Sequence, residues 1–112
     1  EEIEAVTIVD LLRRAGIETC TAALGAREVT GSHGITVTAD IGLDSVNPDG
    51  FEMIVLPGGL PGADHLKADG RVIALLRTFA AADRYTAAIC AAPGVLAHAG
   101  PPEGRAATAL AS

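Results

Sequence analysis

Hydrophobic residues along this chain recur at two different spacings, and the two spacings alternate. Apolar residues three or four positions apart predict helices at residues 3–15, about 70–82 and 91–99, with Gly16 and Gly100 at two of the helix ends. Short apolar or Thr-rich runs between them predict strands at residues 17–23, 35–38, 53–56 and 85–90, and one more near 105–109. Residues 24–34 are predicted to form a hairpin or a loop excursion.

Strands that alternate with helices indicate an α/β fold with a mainly parallel sheet and helices on both faces. The run from Met53 to Leu56 is apolar throughout, as is typical of a parallel strand buried on both faces. The chain of 112 residues contains no evident repeat or linker and is expected to be one domain or a piece of one. Ligands of such sheets bind beyond the carboxyl ends of the strands, which directs attention to residues 57–62 and 90–93.

Cys90 is the most informative residue of these two loops. It stands where a predicted strand ends and a predicted helix begins, and a side chain on such a sharp turn projects clear of its own strand. The free N–H groups and the positive end of the following helix favour the reactive thiolate over the thiol. The position therefore predicts a cysteine nucleophile.

The glycine pair Gly58-Gly59 follows the other buried strand. Without Cβ atoms, its backbone N–H groups can approach a ligand closely, and together with the N–H of Ala91 they could donate to an oxyanion beside Cys90. A tight turn alone explains the pair equally well. The segment lacks the Gly-Lys-Ser/Thr ending and the GxGxxG spacing of nucleotide loops, which disfavours a phosphate site.

Glu4 is the third candidate. In a helix that begins near Ile3, it shares a stripe with Ile8, Leu11 and Ala15, which predicts a partly buried carboxyl group. Burial and a nearby thiolate both favour the protonated acid, which could donate a hydrogen bond to the Cys90 sulfur. The alternative is that an acid in the first helical turn merely complements the helix dipole.

Composition narrows the classes of partner. Hydrophobic residues make up 49% of the chain, which indicates a packed core, and the near absence of aromatics means that small side chains must fill much of it. A net charge of −6, with the Lys and Arg residues scattered, disfavours nucleic acid. No run reaches membrane-spanning length and no signal peptide is evident. Cys20 and Cys90 have no spacing framework and look like cytosolic thiols rather than a disulfide scaffold, so we expect a cytoplasmic protein.

The remaining titratable residues suggest structural roles. His65 is expected in a surface turn or helix start, and His98 in the last turn of the helix after Cys90, where a cation suits the dipole. Cys20 is predicted to be a small core residue within a strand. Asp10 and Arg14 are spaced as a helix-face ion pair, worth about 0.3 to 0.5 kcal/mol. No paired Cys or His motif supports a metal site.

Three segments together resemble the ThiJ/PfpI family of class I glutamine amidotransferase-like proteins, on the branch of the Parkinson's disease protein deglycase. They are residues 1–16 (Glu-Glu-Ile-Glu running to Arg-Arg-Ala-Gly), 55–63 (Val-Leu-Pro-Gly-Gly-Leu-Pro-Gly-Ala) and 88–93 (Ala-Ile-Cys-Ala-Ala-Pro). The resemblance implies a flavodoxin-like three-layer αβα sandwich, usually found as a homodimer. It also implies that Cys90 is the reactive cysteine and Glu4 the carboxyl that hydrogen-bonds it, with Gly58, Gly59 and Ala91 lining the anion site.

The chain departs from the family pattern at several points. The protease-like branch carries His after the cysteine, where Ala91 stands, and relatives often carry His-Pro where Ala109-Leu110 stands. Many relatives carry Arg at the position of His33. The central strand that normally precedes the acidic helix start is not seen before Glu1, and the last family elements do not follow Ser112. We therefore expect a single partial domain, truncated at both ends.

The function implied by the resemblance is that of a deglycase or glyoxalase-like enzyme acting on methylglyoxal or its adducts, without organic cofactor or metal. Cys90 would attack the carbonyl, and Glu4 would transfer a proton. Two alternatives stay open. The chain could be an oxidative-stress sensor or chaperone that works through oxidation of Cys90, or an inactive fragment.

Overall fold

The computed structural model describes residues 1–100, so the strand predicted near residues 105–109 lies outside the described part of the chain. Two compact units make up the chain: Glu1–Val46, and a second unit that begins at Asn47. The elements belong to the α/β class, with parallel strand pairs in both units, as the sequence predicted. None of the helices formed by the described residues is long and apolar enough to cross a membrane.

The first unit begins with helix α1, Glu2–Arg14, whose acidic first turn and basic last turn both complement the helix dipole. Short strands follow: β1 Ala22–Ala23, β2 Glu28–Thr30, β3 Thr36–Thr38 and β4 Ile41–Gly42. Strand β1 pairs in parallel with β4. Strands β2 and β3 form an antiparallel hairpin with Val29 opposite Val37. The sequence predicted a hairpin or a loop excursion within residues 24–34, whereas the observed hairpin pairs β2 with the strand predicted to follow that segment.

The strand predicted for residues 17–23 is mostly wrong, because only Ala22–Ala23 forms a strand. Just before this short strand, backbone groups form hydrogen bonds with side chains. Asp40 Oδ2 accepts from the N–H of Thr21 at 3.0 Å, and Arg13 Nη2 donates to the carbonyl of Thr19 at 3.0 Å and to Asp40 Oδ2 at 2.9 Å. These groups satisfy the backbone without a neighbouring strand. Cys20 is therefore half-buried in an irregular segment, not in a strand.

The second unit contains the larger core. Strand β5, Met53–Leu56, runs parallel to β6, Tyr85–Ala88, with Leu56 opposite Ala88. Between them lie helices α2, Gly62–Ala68, and α3, Gly70–Ala81, and helix α4, Pro93–Ala99, follows β6. Helix α3 matches its predicted bounds, whereas α2 was expected only as a turn or helix start around His65.

Helix α3 supplies most of the large buried side chains of this unit. Asp69 caps its first turn by accepting from the N–H of Arg71 at 2.9 Å. Small residues on other elements, Ala63, Ala92 and Ala99, are buried as well, as the composition predicted. Within the described part of the unit, residues 47–100, the buried apolar residues are Leu56, Ala63, Val72, Ile73, Leu76, Phe79, Ala92, Val95 and Ala99.

Candidate functional site

The turn between β6 and α4 carries Cys90. Two backbone hydrogen bonds fix it: the N–H of Ile89 donates to the carbonyl of Leu56 at 3.2 Å, and the N–H of Ala92 donates to that of Ile89 at 3.0 Å. The strand ends at Ala88 and the helix begins at Pro93, so both predicted boundaries at Cys90 were about two residues too close. Cys90 lies within the turn itself and is half-buried.

The backbone of Cys90 is left-handed, with φ of 60°. Among the described residues, Asp83 is the other non-glycine residue with positive φ, at 57°. Asp83 follows the C-cap of α3, where a left-handed residue is common and an Asp is tolerated. Cys90 has neither reason, and such a conformation costs an L-residue about 1 to 2 kcal/mol. A strained residue on a strand-to-helix turn is the geometry of a presented nucleophile.

The glycine pair lies at the same edge of the sheet as Cys90. Because β5 and β6 are parallel and in register, the segments after Leu56 and Ala88 leave the sheet side by side. Gly58 is buried, and Gly59 has φ of 90°, a conformation that favours glycine. The carbonyl of Gly59 accepts from the N–H of Ala63 at 2.8 Å, in the first turn of α2. The glycines thus form a tight turn, and their role as anion donors with Ala91 stays a prediction.

Glu4 lies in the first turn of α1 and is half-buried; its Oε2 is buried and has no hydrogen-bond partner among the described residues. The partial burial of Glu4 agrees with the sequence prediction, and Ile8 of the predicted stripe is half-buried as well. The stripe is wrong at its other two positions, because Leu11 is 60% exposed and Ala15 is also exposed. The half-buried face of α1 includes Leu12 in their place. Glu4 belongs to the first unit and Cys90 to the second, so their pairing stays a prediction.

A second cluster, which the sequence did not reveal, surrounds Glu2. Its Oε1 accepts from the backbone N–H of His33 at 2.6 Å, and its Oε2 lies 3.2 Å from His33 Nδ1. The Glu1 carboxylate also lies 3.2 Å from His33 Nδ1. These three side chains could face one ion, since their ligand atoms lie within 4.8 Å of one another, but hydrogen bonds account for their closeness and we assign no metal there. The available signal was Gly31-Ser32-His33-Gly34, a turn sequence with a titratable residue.

Two other predictions on titratable residues are confirmed. Arg14 Nε donates to Asp10 Oδ1 at 2.9 Å on the exposed face of α1, and His98 lies in the last turn of α4. Burial, followed by the negative charge of Asp40, raises the pKa of the Cys20 thiol. A raised pKa favours the unreactive thiol form.

Comparison with known proteins gives consistent results. The model of the DJ-1/PfpI family matches residues 1–112. The chain is 40% identical to protein dj-1beta of Drosophila melanogaster over 113 aligned positions, which cover 100% of this chain and 60% of that protein. It is 31% identical to the deglycase PfpI of Pyrococcus furiosus, covering 94% of this chain and 63% of the relative.

Solved structures give the same picture. Toxoplasma gondii DJ-1, in an oxidized form, superposes with a TM-score of 0.92 at 40% identity, over 97% of this chain and 60% of that one. Drosophila melanogaster DJ-1beta gives a TM-score of 0.86 at 41% identity, over 90% and 55% of the two chains. This likeness supports the predicted flavodoxin-like fold. The chain spans 60% of the fly protein and only 24% of DJ-1 homolog A of Arabidopsis thaliana, to which it is 43% identical over 83% of its own length.

Proposed function

Because the chain belongs to the DJ-1/PfpI family, we propose that it carries the cysteine centre of a deglycase or glyoxalase-type enzyme acting on methylglyoxal or its adducts with amines and thiols. Relatives named as deglycases support this activity class. The observation that carries the proposal is the left-handed Cys90 on the turn between β6 and α4. A strained backbone persists where a function requires it, and nucleophiles commonly occupy such turns.

The proposed reaction begins when the Cys90 thiolate attacks the aldehyde carbon of methylglyoxal. A C–S bond forms, and the carbonyl electron pair moves to oxygen, which takes a proton from Glu4 to give a hemithioacetal. Glu4, now a carboxylate, then takes the proton from the former aldehyde carbon and returns it to the neighbouring carbon. The hydroxyl proton of the hemithioacetal passes to the former ketone oxygen, which becomes an alcohol, and a lactoyl thioester is left. Water cleaves the C–S bond, releasing lactate and the thiol. Gly58, Gly59 and Ala91 would hold the oxygen that becomes negative.

Replacement of Cys90 by Ser tests this proposal directly. The Cys90→Ser protein is expected to lose lactate formation from methylglyoxal by about 100-fold or more, because the thiolate is the nucleophile. Cys20→Ser is the matched control, since it removes the other free cysteine of the chain. Lactate is measured by an enzymatic assay on purified protein whose folding is checked by circular dichroism. Equal rates in the parent and a folded Cys90→Ser variant would overturn the proposal.

Glu4→Gln tests the proton-transfer role separately. The amide keeps the size of the side chain but cannot give up a proton in the same way, so we expect kcat to fall about 100-fold. Glu28→Gln, on the exposed strand β2, is the control and should leave kcat unchanged. If Glu4→Gln keeps the parent rate while Cys90→Ser does not, the cysteine chemistry stands and Glu4 has no part in it.

The second candidate function is that of an oxidative-stress sensor. It is supported by the similar Toxoplasma gondii DJ-1, whose solved structure is of an oxidized form. Here a peroxide oxidises the Cys90 thiolate to sulfenic acid and a second equivalent takes it to sulfinic acid, each peroxide being reduced to water. Mass spectrometry after mild peroxide treatment distinguishes the two functions. Selective oxidation of Cys90 over Cys20, without lactate formation, supports the sensor, and an unreactive Cys90 excludes it.

We also propose that the protein is cytoplasmic and that two copies of it associate through the first unit. Helix α1 has no buried residue, and every residue of the β2–β3 hairpin strands is exposed. Apolar side chains on these elements are open to solvent, including Ile3 and Val29, which are 70% and 48% exposed. Such surfaces commonly mark protein interfaces. Sedimentation should show a dimer that Ile3→Lys weakens, and a parent protein that is monomeric at about 100 μM would contradict this assembly.

A further inference from the structure

The turn between β2 and β3 holds the carboxylate of Glu2 from the first turn of α1. The turn itself is closed by the N–H of Gly31 to the carbonyl of Ile35 at 3.0 Å and by the N–H of Gly34 to that of Gly31 at 3.1 Å. Glu2 Oε1 accepts a hydrogen bond from the backbone N–H of His33 at 2.6 Å. Glu2 Oε2 lies 3.2 Å from His33 Nδ1 and accepts from Ser32 Oγ at 3.4 Å. Both carboxylate oxygens are therefore engaged by one turn.

Gly31 makes room for this carboxylate. A Cβ built on Gly31 would lie 2.2 Å from Glu2 Cδ and 2.4 Å from its Oε1, far inside contact distance. The Glu2 side chain is only 9% exposed, although it carries a charge at the end of a helix. In contrast, the His33 side chain is 70% exposed in the single chain.

We propose that Glu2 and the turn Gly31–Gly34 form a pH-sensitive clasp between α1 and the hairpin, closed while Glu2 is ionised and His33 protonated, and loosened when His33 loses its proton. The inference does not depend on the reaction at Cys90. An imidazolium donates to a carboxylate as a charge-assisted hydrogen bond, about twice as strong as a neutral one. Deprotonation removes the positive charge and leaves neutral hydrogen bonds, from the backbone N–H of His33 and from Ser32 Oγ, to hold the carboxylate.

The groups that face the clasp fix its pH range. Desolvation acts to raise the pKa of Glu2, but hydrogen bonds, led by that from the His33 N–H, outweigh it and lower the pKa from 4.5 to about 2. The hydrogen bond to Glu2 and then the charges of Glu1 and Glu2 raise the pKa of His33 above 6.5, against desolvation and the α-amino group of Glu1.

The signs of these two shifts define a window. The Glu2 contribution to stability is complete above pH 4.5 and is lost as pH falls towards 2. The His33 contribution is complete below pH 6.5 and is lost as pH rises through the raised pKa of the folded protein. The clasp is therefore tightest between these two limits and weakens on the alkaline side.

An NMR titration of the histidine ring resonances tests the clasp on the whole chain. The His33 midpoint should move to lower pH in Glu2→Gln, and by a similar amount in Gly31→Ala, where the new methyl group expels the carboxylate. Gly25→Ala is the matched control, because a Cβ there meets nothing within 4 Å, and it should leave the His33 curve unchanged. For His65 and for His98, the titration curve in each variant should superimpose on the curve of the same histidine in the parent.

Hydrogen exchange at the His33 amide gives a second, independent measurement. Its protection factor, corrected for the intrinsic rate, should fall several-fold between about pH 6 and about pH 8.5 in the parent. In His33→Asn, which keeps the N–H but cannot be protonated, protection should not change across this range. An unshifted His33 midpoint in both Glu2→Gln and Gly31→Ala, or parent protection that is the same at both pH values, would overturn the proposal.

Discussion

At the scale of single residues, the backbone of Cys90 gives a prediction that is independent of catalysis. Glycine adopts a φ of 60° without the Cβ clash that an L-residue suffers, so Cys90→Gly should be more stable than Cys90→Ala by about 1 kcal/mol. Urea unfolding followed by circular dichroism measures the difference. A gain in stability from the removal of the proposed nucleophile would mean that the native residue keeps its strain for function.

The adjacent Ile89 provides the control for this comparison, because its φ is not positive. At this position glycine relieves no strain, and it loses more conformational entropy on folding than alanine does. Ile89→Gly should therefore be less stable than Ile89→Ala by roughly 0.5 to 1 kcal/mol. Opposite signs at two neighbouring positions separate backbone strain from a general effect of glycine. If Cys90→Gly is no more stable than Cys90→Ala, the turn is not strained at Cys90.

At the scale of elements, helix α3 should respond strongly to truncation of its buried face. Leu76 is 2% exposed and packs within the core of the second unit, so Leu76→Ala should lower the free energy of unfolding by about 2 to 5 kcal/mol. Leu75, the next residue along the helix, is only half-buried, and Leu75→Ala should cost clearly less. Equal losses in the two variants, measured by urea unfolding, would contradict the described orientation of α3.

The N-cap of the same helix gives a pH-dependent prediction. Hydrogen bonds from the Arg71 side chain, against desolvation, lower the pKa of Asp69 from 3.8 to about 2. Its charge thus stabilises the fold fully above pH 3.8, and the contribution is lost as pH falls towards 2. Asn caps a helix as well as Asp, so Asp69→Asn removes only the charge of the carboxylate. At neutral pH the free energy of unfolding of the parent should therefore exceed that of Asp69→Asn by about 1 kcal/mol or less. This advantage should shrink at about pH 3, and an advantage that is the same at both pH values would argue against the ionised cap.

The elements also show how far the sequence could predict the fold. Helix α3 and strand β5 were predicted closely, because apolar periodicity and continuous apolar runs reflect burial against a core. The strand predicted at residues 17–23 was mostly wrong, and the Asp40 side chain, which accepts from the N–H of Thr21, lies 19 residues away in sequence, where a local pattern does not reveal it. The Glu2 clasp was missed for the same reason. Its partners are about thirty residues apart, and no local pattern links them.

At the scale of the whole molecule, the sequence predicted that Cys90 and the pair Gly58-Gly59 lie at the same edge of the sheet, because they follow adjacent parallel strands, and this placement is confirmed. The left-handed backbone of Cys90 was not predictable, since Cys carries no intrinsic preference for it. Glu4 and Ile8 were placed correctly on a half-buried face, but Leu11 and Ala15 were assigned to that face wrongly, because a helix pattern of mixed Ala, Thr and Val fits more than one face.

The uneven distribution of the core predicts uneven stability. Among the described residues, the buried apolar side chains of the first unit are two alanines, Ala23 and Ala39, whereas the second unit buries Leu76, Phe79 and other large side chains. Burial of apolar surface stabilises at roughly 25 cal/mol per Å², so the second unit has the greater resistance to local opening. In native hydrogen exchange, amides of α3 should therefore exchange more slowly than amides of α1, although both helices are of similar length.

The same experiment addresses the inactive-fragment alternative, because a chain that did not fold alone would show no protected amides in either helix. Equal protection of α1 and α3 would instead mean that the chain opens as one cooperative unit, and that something other than the buried side chains described for the first unit stabilises α1.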